Sequence, residues 1–182
     1  MLQLLPFLLS YLIWLVISII EVNISIIVTH TIFIIAGLSI AAIIKSKMFT
    51  IIFGVALLIR SIFSVIAWYG AHNEYTKYTL GTNEDSVRFW EASKLPSSES
   101  ILSFEDPLFP LINSKIVEFS GYIDSISYLA SIQVVVFSGA LIAPIAYLFF
   151  KKNYGFEVGK ITGYLIAFSP INIAFSTGLM RD

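Results

Sequence analysis

The chain of 182 residues contains no cysteine. That removes disulfides, a thiolate nucleophile and any zinc site built on sulfur. Charge is scarce too. Asp, Glu, Lys and Arg make up only 13% of the chain, about half of what a water-facing surface carries. The net charge of −1 and the lack of a basic cluster exclude the electrostatic footprint of a nucleic-acid binder, so no nucleic acid is expected as partner. No P-loop, dinucleotide fingerprint or His-Glu-x-x-His motif occurs. His30 has no second metal-type residue at helical spacing, so it reads as a satisfied interior histidine and no protein metal site is assigned. What is abundant is apolar: 57% hydrophobic residues and a mean hydropathy of +0.86, against about 45–50% apolar in soluble proteins. This is the composition of a membrane protein.

Five segments are expected to span a bilayer. Leu2 to Ile20 would reach about 28 Å as a helix, close to the hydrocarbon thickness, and it lacks the basic start and Ala-x-Ala site of a signal peptide. Ile24 to Ile44 returns after only Glu21-Val22-Asn23. Met48 to Tyr69 is the third segment, Ile126 to Phe150 the fourth and Val158 to Met180 the fifth, the last interrupted by Gly163, Pro170, Asn172 and Gly178. Lys45 and Lys47 follow the second segment, and Lys151, Lys152 and Lys160 follow the fourth. The positive-inside rule assigns both connections, and the N-terminus, to the cytoplasm. The stretch 70–125 is then extracytoplasmic. It holds Glu74, Glu84, Asp85, Glu91, Glu99, Glu105, Asp106, Glu118 and Asp124 against Lys77, Arg88, Lys94 and Lys115. Trp68 and Tyr69 mark the outer interface, where amphipathic rings settle.

Within that stretch, Asn83 or Asp85 can cap a helix running to about Lys94, its acids placed where the macrodipole favours them. Pro96-Ser97-Ser98 stops it. After Pro107 and Pro110 a turn and a short interfacial helix into Gly121 are expected. The fold class is all-α: a polytopic membrane helical bundle of about five transmembrane helices plus a partly helical extracytoplasmic loop. Its divisions are 1–69 with three spans, 70–125 as the loop, and 126–182 with two more.

Arg60 lies well inside the third segment. A cation at the centre of a span costs at least about 2.5 kcal/mol, so it needs a buried partner or a wet cavity. Its distance from the Tyr69 end, about 13 Å along a helix, is long for snorkelling. Asn172 beside Pro170 suits repair of the broken backbone ladder. Gly139 with Ala143, and Gly155 with Gly159, have small-xxx-small spacing, and the former suits close helix packing.

Arg60 and the Trp68-Tyr69 exit precede Asn83-Glu84-Asp85-Ser86-Val87-Arg88-Phe89-Trp90-Glu91-Ala92. This part of the chain resembles the start of a polytopic glycosyltransferase of the GT-C superfamily. The Pro-containing fifth segment, with Ser169-Pro170-Ile171-Asn172 and a final Arg181-Asp182, is similar to one seen in bacterial polysaccharide-assembly members. The resemblance covers roughly Ile59 to Asp182. It implies transfer of a sugar from a polyprenyl-phosphate-linked donor on the extracytoplasmic face, in the bacterial inner (plasma) membrane, with membrane lipids as surroundings. Members have more spans than this chain, so the resemblance also implies an N-terminal portion of such an enzyme.

Transfer of this kind needs a base for the acceptor hydroxyl and cations for the departing phosphate. Asp85 is the base assigned, because partial desolvation at a bilayer surface raises a carboxylate's pKa toward the working pH. Glu84 is its neighbour or a ligand to a divalent metal, the one cofactor left open. Arg88, Arg181 and Arg60 are the phosphate-binding candidates. The same residues admit plainer roles: Glu84 and Asp85 as helix N-terminal acids, Arg88 in a surface ion pair with Asp85. Two other functions stay open on the sequence, a small transporter or channel subunit with Arg60 and His30 on a polar path, and a non-catalytic membrane scaffold.

Overall fold

The computed structural model describes residues 2–71, 94 and 108–175, and every regular element within them is helical. A 3-10 turn (Leu2–Leu4) leads into α1 (Leu5–Ile20), followed by α2 (Ile24–Ile44) and α3 (Lys47–Ala71). Beyond the polar stretch come α4 (Leu108–Ile123), α5 (Tyr128–Ser131), α6 (Gln133–Tyr154), α7 (Phe156–Ala167) and α8 (Pro170–Phe175).

Among the described residues, three helical runs are long and apolar enough to cross a membrane: Ile24–Ile44, Lys47–Tyr69 and Tyr128–Tyr154. The other two expected spans are shorter. Helix α1 has 16 residues, about 24 Å of rise. Helix α7 has 12 residues and stops at Phe168-Ser169, just before Pro170, because proline lacks the N–H that would continue the ladder and disfavours helical geometry in the residue before it.

The pattern of burial is that of a bundle in lipid. Ile19, Ile35, Ile43, Ile66, Ile145, Phe149, Ile161 and Leu165 face outward, while Ser10, Thr29, His30, Arg60, Ser61, Ser64 and Gln133 lie inside. Large apolar side chains on the perimeter and polar ones in the middle would be unstable in water. Helix α3 is the centre of the arrangement and packs on α1, α2, α6 and α7.

The turns have local causes. The α1–α2 turn ends on Asn23, whose Oδ1 accepts the backbone N–H of Ser25 at 3.0 Å, the bond that makes Asn a good N-cap. The α2–α3 turn uses Lys45 at φ 55°, then Ser46, whose Oγ accepts the N–H of Phe49 at 3.3 Å. Gly155, at φ 93°, makes the reversal between α6 and α7, a backbone conformation that suits glycine.

Helix α4 begins at Leu108, earlier than the proline pair suggests, because Pro110 falls in its first turn, where a missing N–H breaks no helical bond. Its Asn113, Ser114, Val117 and Ser120 are buried. Lys115 and Glu118 pair at 2.8 Å on the exposed side, and this bond holds the Glu118 carboxylate below its usual range. Two further bonds dock the end of α4 on the start of α2. The Asp124 carboxylate accepts the N–H of Ile24 at 2.9 Å, and Asn23 Nδ2 donates to Ser125 Oγ at 2.8 Å.

These contacts give the bundle two different ends. At one, Trp68 Nε1 and Tyr69 Oη both donate to Glu21, at 3.2 and 3.0 Å, and the Trp68 and Tyr128 rings stack with centroids 5.2 Å apart. The polar stretch leaves α3 and returns through α4 at this end. The other end carries Lys45, Lys47, Lys151 and Lys152.

Candidate functional site

Two groups of polar side chains occupy the interior, and they lie on different sides of α3. Adjacent helical positions point about 100° apart, so Ser61 turns toward α1 and α2 while Arg60 turns toward α7.

On the first side a hydrogen-bonded chain joins four helices. Its directions follow from groups that have only one role. Trp14 Nε1 can only donate, and it donates to Ser61 Oγ at 2.9 Å. At the other end, Gln133 Nε2 donates to the Leu129 carbonyl at 3.1 Å. That leaves Gln133 Oε1 to accept from His30 Nδ1 at 2.8 Å. His30 therefore carries a proton on Nδ1, and in the neutral ring its Nε2 accepts from Ser10 Oγ at 3.0 Å. Ser10 in turn accepts from Ser61 at 2.8 Å. The Trp14 and His30 rings pack with centroids 5.7 Å apart. All five side chains are buried, none more than 1% exposed.

A chain of this kind holds helices together in a medium that offers no water as an alternative partner. Gln133→Leu keeps the bulk and leaves the His30 N–H without its acceptor. The variant is expected to lose about 1–2 kcal/mol of stability, read as a lower unfolding midpoint in detergent. Adding His30→Leu to it should recover part of the loss, since the stranded donor is then gone.

On the second side, Arg60 is fully buried. Its Nη1 donates to the Ala56 carbonyl at 3.2 Å and makes a longer contact of 3.5 Å with the Ala167 carbonyl. Ala167 is the last residue of α7. Carbonyls in the last turn of a helix lack partners within it, and that end carries the negative pole of the macrodipole. The guanidinium thus meets one carbonyl of its own helix and one at the end of α7, where the helix breaks before Pro170. This is the kind of buried partner that the position of Arg60 requires.

Of the other site residues expected from the sequence, Glu84, Asp85, Arg88 and Arg181 lie outside the described residues, as does the helix expected to run to Lys94. Among the described residues no group of three or more His, Asp or Glu side chains is arranged to hold a metal ion. Ser10, Trp14, Ser61 and Gln133 were not singled out by the sequence reading. Their only common signal is a polar group placed in an apolar helix on the side that carries few large aliphatic residues.

Of the small-residue pairs, Gly139 and Ala143 are both buried on α6. Gly155 is a turn residue and does not share a helix face with Gly159. The packed stripe on α7 is Gly159, Gly163 and Ala167, all buried. A Cβ built on Gly159 would lie 2.7 Å from the backbone N of Lys151, and one on Gly163 2.7 Å from Ile52 Cδ1.

The chain matches no protein-family model, no curated protein and no solved structure.

Proposed function

We propose that the protein is a membrane glycosyltransferase of the GT-C type, taking sugar from a polyprenyl-phosphate-linked donor on the extracytoplasmic face. The observation that carries the reading is the segment Asn83 to Ala92 in its setting. The acid-rich stretch containing it leaves and rejoins the bundle at the Glu21 end, while the lysines of the two short turns gather at the opposite end. A lysine-bearing end suits the cytoplasm; in this reading the N-terminus lies there and the acidic stretch outside, and the bacterial inner membrane is the setting that the resemblance implies. In this reading α1 and the α7–α8 pair complete five spans, and Arg60 approaches one carbonyl at the break of the fifth, that of Ala167.

The roles follow from charge. Asp85 takes the acceptor proton, with Glu84 beside it as neighbour or as ligand to a divalent metal. Arg88 and Arg181 stabilise the departing phosphate, with Arg60 as the third candidate cation. A conducting path along His30 is disfavoured. The hydrogen-bonded chain begins on an indole and ends on a carboxamide bonded to a carbonyl, and neither group relays a proton at neutral pH.

The reading is tested with inverted and right-side-out membrane vesicles carrying the whole gene product. Labelled sugar should pass to acceptor from a polyprenyl-phosphate donor, only when the donor is on the face bearing the acidic stretch. Transfer from a soluble nucleotide sugar instead, or no transfer beyond that of vesicles lacking the protein, would sink it.

A further inference from the structure

At the end of the bundle opposite the acidic stretch, a cleft of about 440 Å³ opens between the α2–α3 turn and the α6–α7 turn. Lys45, Lys47 and Lys151 line it, over apolar walls that include Met48, Tyr147 and Phe156. A shallower cleft of about 250 Å³ shares Lys45, Ser46 and Lys47 and adds Gln3 and Thr50. We propose that this basic cleft seats the phosphate headgroup of an anionic glycerophospholipid. The proposal does not rest on the transferase reading.

Charge is the first argument. Three lysines line the cleft, and among the described residues no Asp or Glu does. The nearby acid Glu157 is engaged by Lys160 at 2.9 Å instead. Lys151 is held over the Tyr147 and Phe156 rings, 5.6 and 6.0 Å from their centroids. Contact with a ring face positions a cation without neutralising it. An anion entering the cleft therefore meets uncompensated positive charge on two sides.

The walls are the second argument, and they decide the kind of anion. Ile44, Met48 and Leu148, half-buried against the core, also line the cleft, and Ile43, Ile145 and Phe149 near them in the chain face outward. A soluble phosphate gains nothing from such surface. The glycerol and first acyl methylenes of a lipid do, because they continue the apolar contact below the charged headgroup. The cleft also sits at the ends of Ile24–Ile44, Lys47–Tyr69 and Tyr128–Tyr154, at the depth where headgroups lie. Basic pockets between spans are a recurrent means of binding such headgroups.

The test is native mass spectrometry of the whole detergent-purified protein with added phosphatidylglycerol or phosphatidylcholine. One phosphatidylglycerol should be retained under activation that strips phosphatidylcholine. Each lysine near an anionic headgroup contributes about fivefold to binding, so Lys45→Gln/Lys47→Gln/Lys151→Gln should weaken phosphatidylglycerol by about a hundredfold. The lysines are exposed, and an unchanged unfolding midpoint confirms that the fold is kept. Lys115→Gln/Lys152→Gln, which removes charge outside the cleft, should leave retention within about twofold of the parent. Equal retention of the two lipids overturns the proposal, as does equal weakening by both sets of substitutions, which would mean diffuse attraction. Displacement of the lipid by millimolar inorganic phosphate also overturns it, because the bound species would then be a soluble phosphate.

Discussion

Asp85→Asn is expected to lower sugar transfer by about 10²–10⁴-fold, the usual contribution of a positioned general base. Asparagine keeps the size and the hydrogen-bonding outline of aspartate but has no basic oxygen, so it cannot accept the acceptor's proton. It caps a helix N-terminus as well as aspartate does. A purely structural role for Asp85 is therefore preserved in the variant, and the amount of protein in the membrane should not change. Glu84→Gln should cost less, because consecutive helical residues point about 100° apart and only one can face the reacting hydroxyl. Transfer within tenfold of the parent in Asp85→Asn, measured per molecule in the membrane, would remove Asp85 from the reaction. A parallel fall in protein level and transfer would assign it to folding instead.

Gly159→Leu is expected to separate α6 from α7, at a cost at or above the 1–3 kcal/mol typical of overpacking. The reason is what the new side chain meets. At Gly159 the nearest atoms are the Lys151 backbone N at 2.7 Å and Cα at 2.8 Å, and backbone inside a helix cannot rotate aside. At Gly163 the nearest atom is the terminal methyl of Ile52, followed by Tyr147 Cβ at 3.0 Å. The methyl can swing away, so Gly163→Ala should cost less than Gly159→Ala. Gly121→Ala is the control, since its Cβ would have ordinary contact with Ile126 Cγ1 at 3.4 Å. Unfolding midpoints in detergent rank the variants. A midpoint for Gly159→Leu equal to that of Gly121→Ala would show that the two helices do not pack through this stripe.

The turns were legible in the sequence because each depends on neighbouring residues. Glu21-Val22-Asn23 and Lys45-Ser46-Lys47 interrupt apolar runs with a capping side chain and charge, and both became turns. The demand of Arg60 for a buried partner was legible for the same reason, since position within a span sets its cost. The identity of that partner was not. It required α7 to end beside α3, a fact about packing. The chain through Ser10, His30, Ser61 and Gln133 was hidden because a serine in an apolar helix ordinarily satisfies itself on a carbonyl one turn back. Its true partners are 20 to 103 positions away. The glycines show a finer limit. Spacings of four fit Gly155 with Gly159 and Gly159 with Gly163 equally, and only the location of the α6–α7 turn separates them. Of the candidate site, Asp85, Glu84, Arg88 and Arg181 were named by their chemistry and lie outside the described residues, so only Arg60 has a described environment.

The bonds from Asp124 to Ile24 and from Asn23 to Ser125 join parts of the chain 100 and 102 positions apart. Together with the packing of α3 on α6, they join 108–175 to 2–71 through contacts made across space. A peptide bond cut anywhere in 72–107 would leave two pieces with their mutual contacts intact. Co-purification of the two pieces after such a cut is the expected result, and their separation in detergent would show that these contacts do not suffice.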